Sequence, residues 1–216
     1  MRTISQVVEA IIQESPFFAE VISEGVANNA EIARRIKPVV EKRLLEKVSE
    51  SAIAMALHRM SKTTKKRSVF GAKFLKHISD ITVRSNLVEF IFPNSADISR
   101  AVEEIFKTAR KHPESFVNFS RGLYETLLIL NDSLEKSVTR VLRKEKHTRR
   151  GGLSAITMRL PQSSLNIPGL YYPLLKAIAW EGISFVEVMS IDTEFSIIFE
   201  DKDVDRAFSI LKKTVS

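Results

Sequence analysis

The sequence predicts an α+β protein in which an all-α amino-terminal module, residues 1–70, precedes two βαββα units, 80–147 and 151–216, each with an antiparallel sheet. Three observations carry this. Apolar residues recur at helical spacing through residues 3–61. Beyond residue 80, runs rich in β-branched and aromatic residues alternate with helical patterns. The second half also repeats: displaced by 69 positions, the 40 residues 105–144 give 9 identities without a gap, where unrelated sequences would give roughly two or three.

Taken in order, Ile4, Val7, Val8, Ile11 and Ile12 mark one face of a first helix. Ser15-Pro16 restarts the chain as a helix carrying Phe17, Phe18 and Val21, which stops near Gly25. Asn28, with Glu31 three residues on, has capping-box spacing for a helix over 31–36. Pro38 either interrupts that helix or starts the next, with Val39, Val40, Leu44 and Leu45, because proline has no N–H to donate. Ser49 caps a last helix with Ile53, Leu57 and Met60 on one face.

The second half reads as a strand ITVRSNLVEFIF (81–92), a helix over 97–111, strands SFVNFS (115–120) and YETLLIL (124–130), and a helix over 133–144. After Gly151-Gly152 come a strand LSAITMRL (153–160), a helix over 168–180, strands ISFVEVM (183–189) and TEFSIIF (193–199), and a helix over 203–213. The order β-α-β-β-α thus occurs twice, which implies split β-α-β, ferredoxin-like units with helices on one face of an antiparallel sheet.

Composition narrows the function. Among 216 residues, 44% are apolar, only 7 are Gly and 7 Pro, and mean hydropathy is −0.04, which excludes collagen-like, wholly disordered and multi-span membrane chains. The absence of Cys excludes disulfide scaffolds, thiol nucleophiles, thiolate zinc sites and iron–sulfur clusters. No apolar run approaches roughly 18 residues. The start, MRTISQVVEA, places acidic and polar residues where a signal peptide has its apolar core. A soluble cytoplasmic protein with no membrane partner is expected. Its net charge of +7 is local: residues 1–70 carry 12 basic and 8 acidic residues, 71–150 carry 15 and 10, and 151–216 carry 6 and 8. Two dense basic stretches, Lys62 with Lys65, Lys66 and Arg67, and Arg143, Lys144, Lys146, Arg149 and Arg150, read as connectors, the second because it runs into the Gly pair.

The segment from Leu153 to Lys213 resembles an ACT domain, the small ligand-binding module attached to many enzymes and regulators of amino-acid metabolism. The features that carry the resemblance are a first strand, a loop ending Asn166-Ile167-Pro168-Gly169, a helix ending near Glu181-Gly182-Ile183, a strand followed by Ser190, and Thr193-Glu194 opening an edge-like strand. The first unit resembles the family more faintly. Its corresponding loop, Pro93-Asn94-Ser95-Ala96-Asp97, is shorter and lacks the glycine, so Ser95 or Asp97 is expected to be a structural cap. An ACT sheet normally has four strands, and neither unit shows a clear fourth: 145–150 is basic and polar, and the sequence stops soon after the last helix. A borrowed strand is expected, from the long segment 81–92 or by pairing between chains, since exposed edges favour pairing. The resemblance implies a small-molecule ligand, an amino acid, held by Asn166, Ile167, Pro168, Gly169 and Leu170, and homo-oligomers formed through the ACT-like units. Proline in a first helical turn and a glycine beside it leave backbone N–H groups open to a carboxylate. The same residues also fit a structural loop in which Asn166 caps the helix and Gly169 lets helix and sheet approach.

NNAEIARRI followed by VSESAIAMALHRM resembles a helix-turn-helix element. Its second helix would present Ser51, Met55, His58 and Lys62, with Arg34, Arg35, Arg59, Lys65, Lys66 and Arg67 available to phosphates. The match weakens at the connection, because Ile36 and Ser49 are separated by twelve residues where a turn of three or four is usual. A helical cap serving assembly explains the same apolar spacing. No catalytic residue and no metal ligand is assigned. The four His residues are scattered, no Gly-rich phosphate loop or nucleophile elbow occurs, and Trp180 reads as a core residue. No cofactor is implied. The expected function is a non-catalytic regulatory protein that binds an amino acid through its C-terminal unit, and the alternative is a ligand-responsive DNA-binding regulator.

Overall fold

The protein is seen in a computed structural model that describes residues 2–64, 75–78, 80–94, 96–141, 146–164 and 166–216. The chain divides into two compact units, Met1–Lys73 and Phe74–Ser216.

The first unit has four described helices: α1 (Ile4–Gln13), α2 (Pro16–Ser23), α3 (Asn29–Leu44) and α4 (Glu50–Thr64). Each starts where local chemistry allows. Thr3 and Gln6 form a capping box on α1, Pro16 fills the first position of α2, Asn28 Oδ1 accepts the Glu31 N–H, and Ser49 Oγ accepts the Ala52 N–H. The faces marked by the apolar spacing meet in one core that includes Val8, Ile12, Ile22, Ile36, Val40, Ile53 and Leu57. Pro38 neither ends a helix nor starts one. It lies inside α3, exposed, so the only losses are one backbone hydrogen bond and some straightness. The helix runs on to Leu45, which takes a left-handed conformation (φ 58°) and closes it.

The second unit carries β1 (Asp80–Pro93), α5 (Ala96–Ala109), β2 (Val117–Arg121), β3 (Glu125–Asn131), α6 (Glu135–Val141), β4 (Thr148–Arg159), α7 (Tyr172–Trp180), β5 (Glu187–Ile191), β6 (Glu194–Glu200) and α8 (Asp201–Val215). The six strands form one sheet, in the order β2-β3-β1-β4-β6-β5, antiparallel at every pair. The two sheets expected from sequence are therefore continuous. The strand each half lacked is the other half's first strand, because β1 pairs with β3 on one side and β4 on the other, and β4 likewise with β1 and β6.

This pairing also corrects the reading of 148–152. Thr148, Arg149 and Arg150 are strand residues opposite Ile91, Phe90 and Glu89, and the Gly pair sits within β4. The ladder absorbs the glycines as a bulge: Asn86 (φ 61°) adds a residue on β1 and Gly152 (φ 68°) compensates on β4, restoring the original register. The register is centred on Ser85 and Ser154, which are 69 positions apart and whose Oγ atoms lie 3.0 Å apart. The sequence repeat is thus expressed as a pseudo-twofold axis passing between these two serines.

Alternation along the strands separates two faces. One packs on helices in both halves: Phe90, Phe92, Leu128 and Leu130 with Ile105 and Val138, and Ile156, Met158, Phe195, Ile197 and Phe199 with Leu174, Ile178 and Leu211. On the other face Leu87, Ile129, Leu153, Ala155 and Ile198 form a second buried cluster, joined at its margin by Phe116, Leu127, Val186 and Met189, with no described helix residue in it.

Candidate ligand-binding loop and cavity

The loop between β4 and α7 is a chain of tight turns. Ser164 is fully buried, and its own N–H and Oγ both donate to the Pro161 carbonyl. The N–H groups of Ile167, Leu170 and Tyr172 then close onto the carbonyls of Ser164, Ile167 and Gly169. Helix α7 begins at Tyr172 and not at Pro168, and the proline in its first turn is Pro173. The cause is Gly169, whose φ of 74° turns the chain out of helical conformation. Asn166, Pro168 and Gly169 are exposed and Ile167 is half-buried, while Leu170 points inward and joins the core.

Tyr171 fixes this loop to the sheet. Its ring stacks on Phe195 at 4.3 Å between centroids, 10° from parallel, and its hydroxyl shares a 2.8 Å hydrogen bond with Ser190 Oγ. Motif reasoning passes over Tyr171, although its place directly after the Pro-Gly-Leu turn is the available signal. Trp180, expected in the core, is 77% exposed at the end of α7, on the same side as Tyr172 and Lys176, whose Nζ lies 5.4 Å from its ring centre. The helix ends there, closed by the Ile183 N–H on the Ile178 carbonyl around Gly182 (φ 66°), so the indole projects past the last turn into solvent. In the first half, Asn94 clasps the β2–β3 hairpin, with Nδ2 donating to the Gly122 and Leu123 carbonyls and Oδ1 accepting from Thr126 Oγ1. Ser95 and the side chain of Asp97 lie outside the described residues.

On this second face of the sheet, residues 115–118 at the β2 edge and Met189, Ile191, Glu194 and Ser196 of the β5–β6 hairpin line one cavity of about 210 Å³. These come from opposite ends of the strand order, so the sheet coils toward this face and its margins approach each other. Glu89 reports the same curvature. It is buried on this face, with one carboxylate oxygen 3.7 Å from Arg150 Nη1 and the other without a partner. Burial pushes its carboxyl above the usual range against the opposing pull of Arg150, and Glu187, three strands away, pushes it further. Among the described residues no group of three or more His, Asp or Glu side chains is placed to hold a metal ion.

The residues expected to meet DNA are only partly brought together. Ser51, Met55 and His58 share the exposed face of α4, Met55 at 60% exposure. Arg34 is engaged by Glu31 at 2.7 Å and lies 3.9 Å from Glu50, Arg35 stands 5.8 Å over the Phe18 ring, and Arg59 lies 3.4 Å from Ser5 Oγ. The side chain of Lys62, and Lys65, Lys66 and Arg67, lie outside the described residues. Because α3 extends to Leu44, the connection to α4 is shorter than the sequence implied.

Among solved structures, the regulatory subunit of aspartate kinase from Thermus thermophilus, in its ligand-free form, matches with a TM-score of 0.51 at 8% identity, over 64% of this chain and 99% of that one. Aspartate kinase from Clostridium acetobutylicum matches at 0.53 and 9% identity, over 64% of this chain and 35% of that one. Aspartate kinase from Synechocystis matches at 0.52 and 12%, over 68% and 28%. The likeness is one of fold: it spans the isolated regulatory subunit and about a third of the full-length kinases. No protein-family model matches the chain, and no curated protein matches it by sequence. No helix among the described residues is long and apolar enough to cross a membrane.

Proposed function

We propose that this is a non-catalytic regulatory protein, built as a helical module (1–70) and two ACT-like units (80–147 and 151–216), that binds an amino acid through Asn166, Ile167, Pro168, Gly169 and Leu170. The observation that carries the reading is the β4–α7 loop, which exposes Asn166 and a left-handed Gly169 on a support held rigid by Tyr171. A site built on locked side chains loses less entropy on binding. The fold shared with the T. thermophilus regulatory subunit supports the class of function. The exposed edge strands β2 and β5 offer the pairing surfaces for a homo-oligomer.

The test is thermal unfolding of the full chain against each of the twenty amino acids. A ligand at a hundred times its Kd adds about 2.7 kcal/mol, which at roughly 2–4 °C per kcal/mol raises Tm by about 5–11 °C for a chain of this size. Gly169→Val, strained at φ 74°, removes that rise. No stabilisation by any amino acid at millimolar concentration refutes the reading. The DNA-binding alternative draws support from the exposed face of α4 and the short α3–α4 connection, while Arg34 is engaged by carboxylates of its own module. Salt-dependent binding of duplex DNA by the full chain would restore it.

A further inference from the structure

We propose that the cavity lined by β2 and the β5–β6 hairpin is a second binding site, separate from the β4–α7 loop, and that it takes a small aliphatic primary ammonium compound. Its polar wall offers acceptors, beside the Ser115 and Ser196 hydroxyls, which can also donate. Glu194 forms no ion pair among the described residues, Asn118 Oδ1 is buried with no hydrogen-bond partner, and Ser115 adds a hydroxyl. No lysine, arginine or histidine lines the space. Arg159, which faces Glu194 across the β4–β6 ladder, makes no ion pair with it. A buried acceptor left unmet costs about 1–3 kcal/mol, and a ligand that donates several N–H bonds relieves it. An ammonium group does this and also neutralises the carboxylate, whereas a carboxylate ligand would meet like charge.

The apolar wall, Phe116, Met189 and Ile191, suits a short alkyl chain. The volume sets the size: about 210 Å³ holds roughly seven waters, enough for a few carbons and too little for a nucleotide. The two halves differ at the places that correspond under the repeat. Ser115-Phe116-Val117 recurs as Ser184-Phe185-Val186, but the counterpart of Asn118 is Glu187, an anion where the first half has a neutral amide, and Phe185 is 45% exposed. Because one wall belongs to each half, an occupant favours the coiled form of the sheet in which the walls meet.

The experiment uses the full chain carrying methyl-labelled methionine, titrated with n-pentylammonium chloride, 1-pentanol and sodium pentanoate. Saturable displacement of the Met189 methyl signal by pentylammonium, with Met55 and Met60 unmoved, is expected. Affinity for pentanol and pentanoate falls by about tenfold or more, and Glu194→Gln, an exposed and nearly isosteric change, weakens pentylammonium by a similar factor. Gly169→Val leaves the titration unchanged, so failure of the loop as an amino-acid site and failure of this cavity are told apart. Equal binding of pentanol, an unmoved Met189 signal at tens of millimolar ligand, or full affinity in Glu194→Gln overturns the proposal.

Discussion

The pseudo-twofold axis makes a quantitative prediction at Ser154, which is 1% exposed. Its hydroxyl donates to Asp201 Oδ1 at 2.6 Å and, as the weaker arm of a shared bond, to Ser85 Oγ at 3.0 Å. Ser154→Ala removes both bonds. The charge-assisted one is worth about 1.5–3 kcal/mol in general, and less here because exposed Asp201 regains water. With about 0.5 kcal/mol for the exposed Ser85, the loss is about 2 kcal/mol, or a Tm lower by roughly 4–8 °C. Ser85→Ala costs only its own bond, about 0.5 kcal/mol, and the double variant is no worse than Ser154→Ala, because that bond is already gone. Differential scanning calorimetry of the three variants measures this. A Ser154→Ala variant within about 0.5 kcal/mol of the parent, or strict additivity with Ser85→Ala, refutes the arrangement.

Glu89 sets a pH dependence. A carboxyl raised above its unfolded value of 4.5 favours the fold while protonated, so its contribution is present below that pH and is lost as pH rises through the folded pKa. Glu89→Gln flattens this loss, and urea midpoints at pH 4.5 and 7.5 detect it as a smaller difference between the two than in the parent. Pro38 is exposed inside α3, so Pro38→Ala restores a backbone hydrogen bond without emptying a core. It stabilises the helical unit by about 1–3 kcal/mol, read as a later urea transition in far-ultraviolet circular dichroism. A destabilised Pro38→Ala would mean that the bend at this position is itself required for packing.

What was legible in the sequence was whatever rested on periodicity. The faces through Val7 and Ile11, through Ile53 and Leu57, and along β3 and β6 follow from spacing alone, and the offset of 69 reappears in the register of β1 and β4. The misreadings came where a local signal was overruled by a partner distant in sequence. Gly151-Gly152 and the basic residues before them look like a connector, yet Phe90, Glu89 and Glu135 hold that stretch in a strand: Arg149 is clamped by Glu135 and Arg150 faces Glu89. Pro168 carries the signature of a helix start, but the conformation of Gly169 postpones the helix to Tyr172. The coiling that brings Asn118 toward Glu194 has no sequence signature, because it depends on strands that pair through three intermediaries.

The β1–β4 ladder is the contact that two copies of a single βαββα chain would make about a twofold axis. Held within one chain, the pair meets at an effective concentration on the order of millimolar, so the halves stay joined at dilutions where separate subunits would dissociate. Linkage also removes an obligation. A symmetric homodimer must carry every feature twice, whereas here Asn118 and Glu187, or Asp97 and Asn166, differ at corresponding places, leaving each half free to specialise.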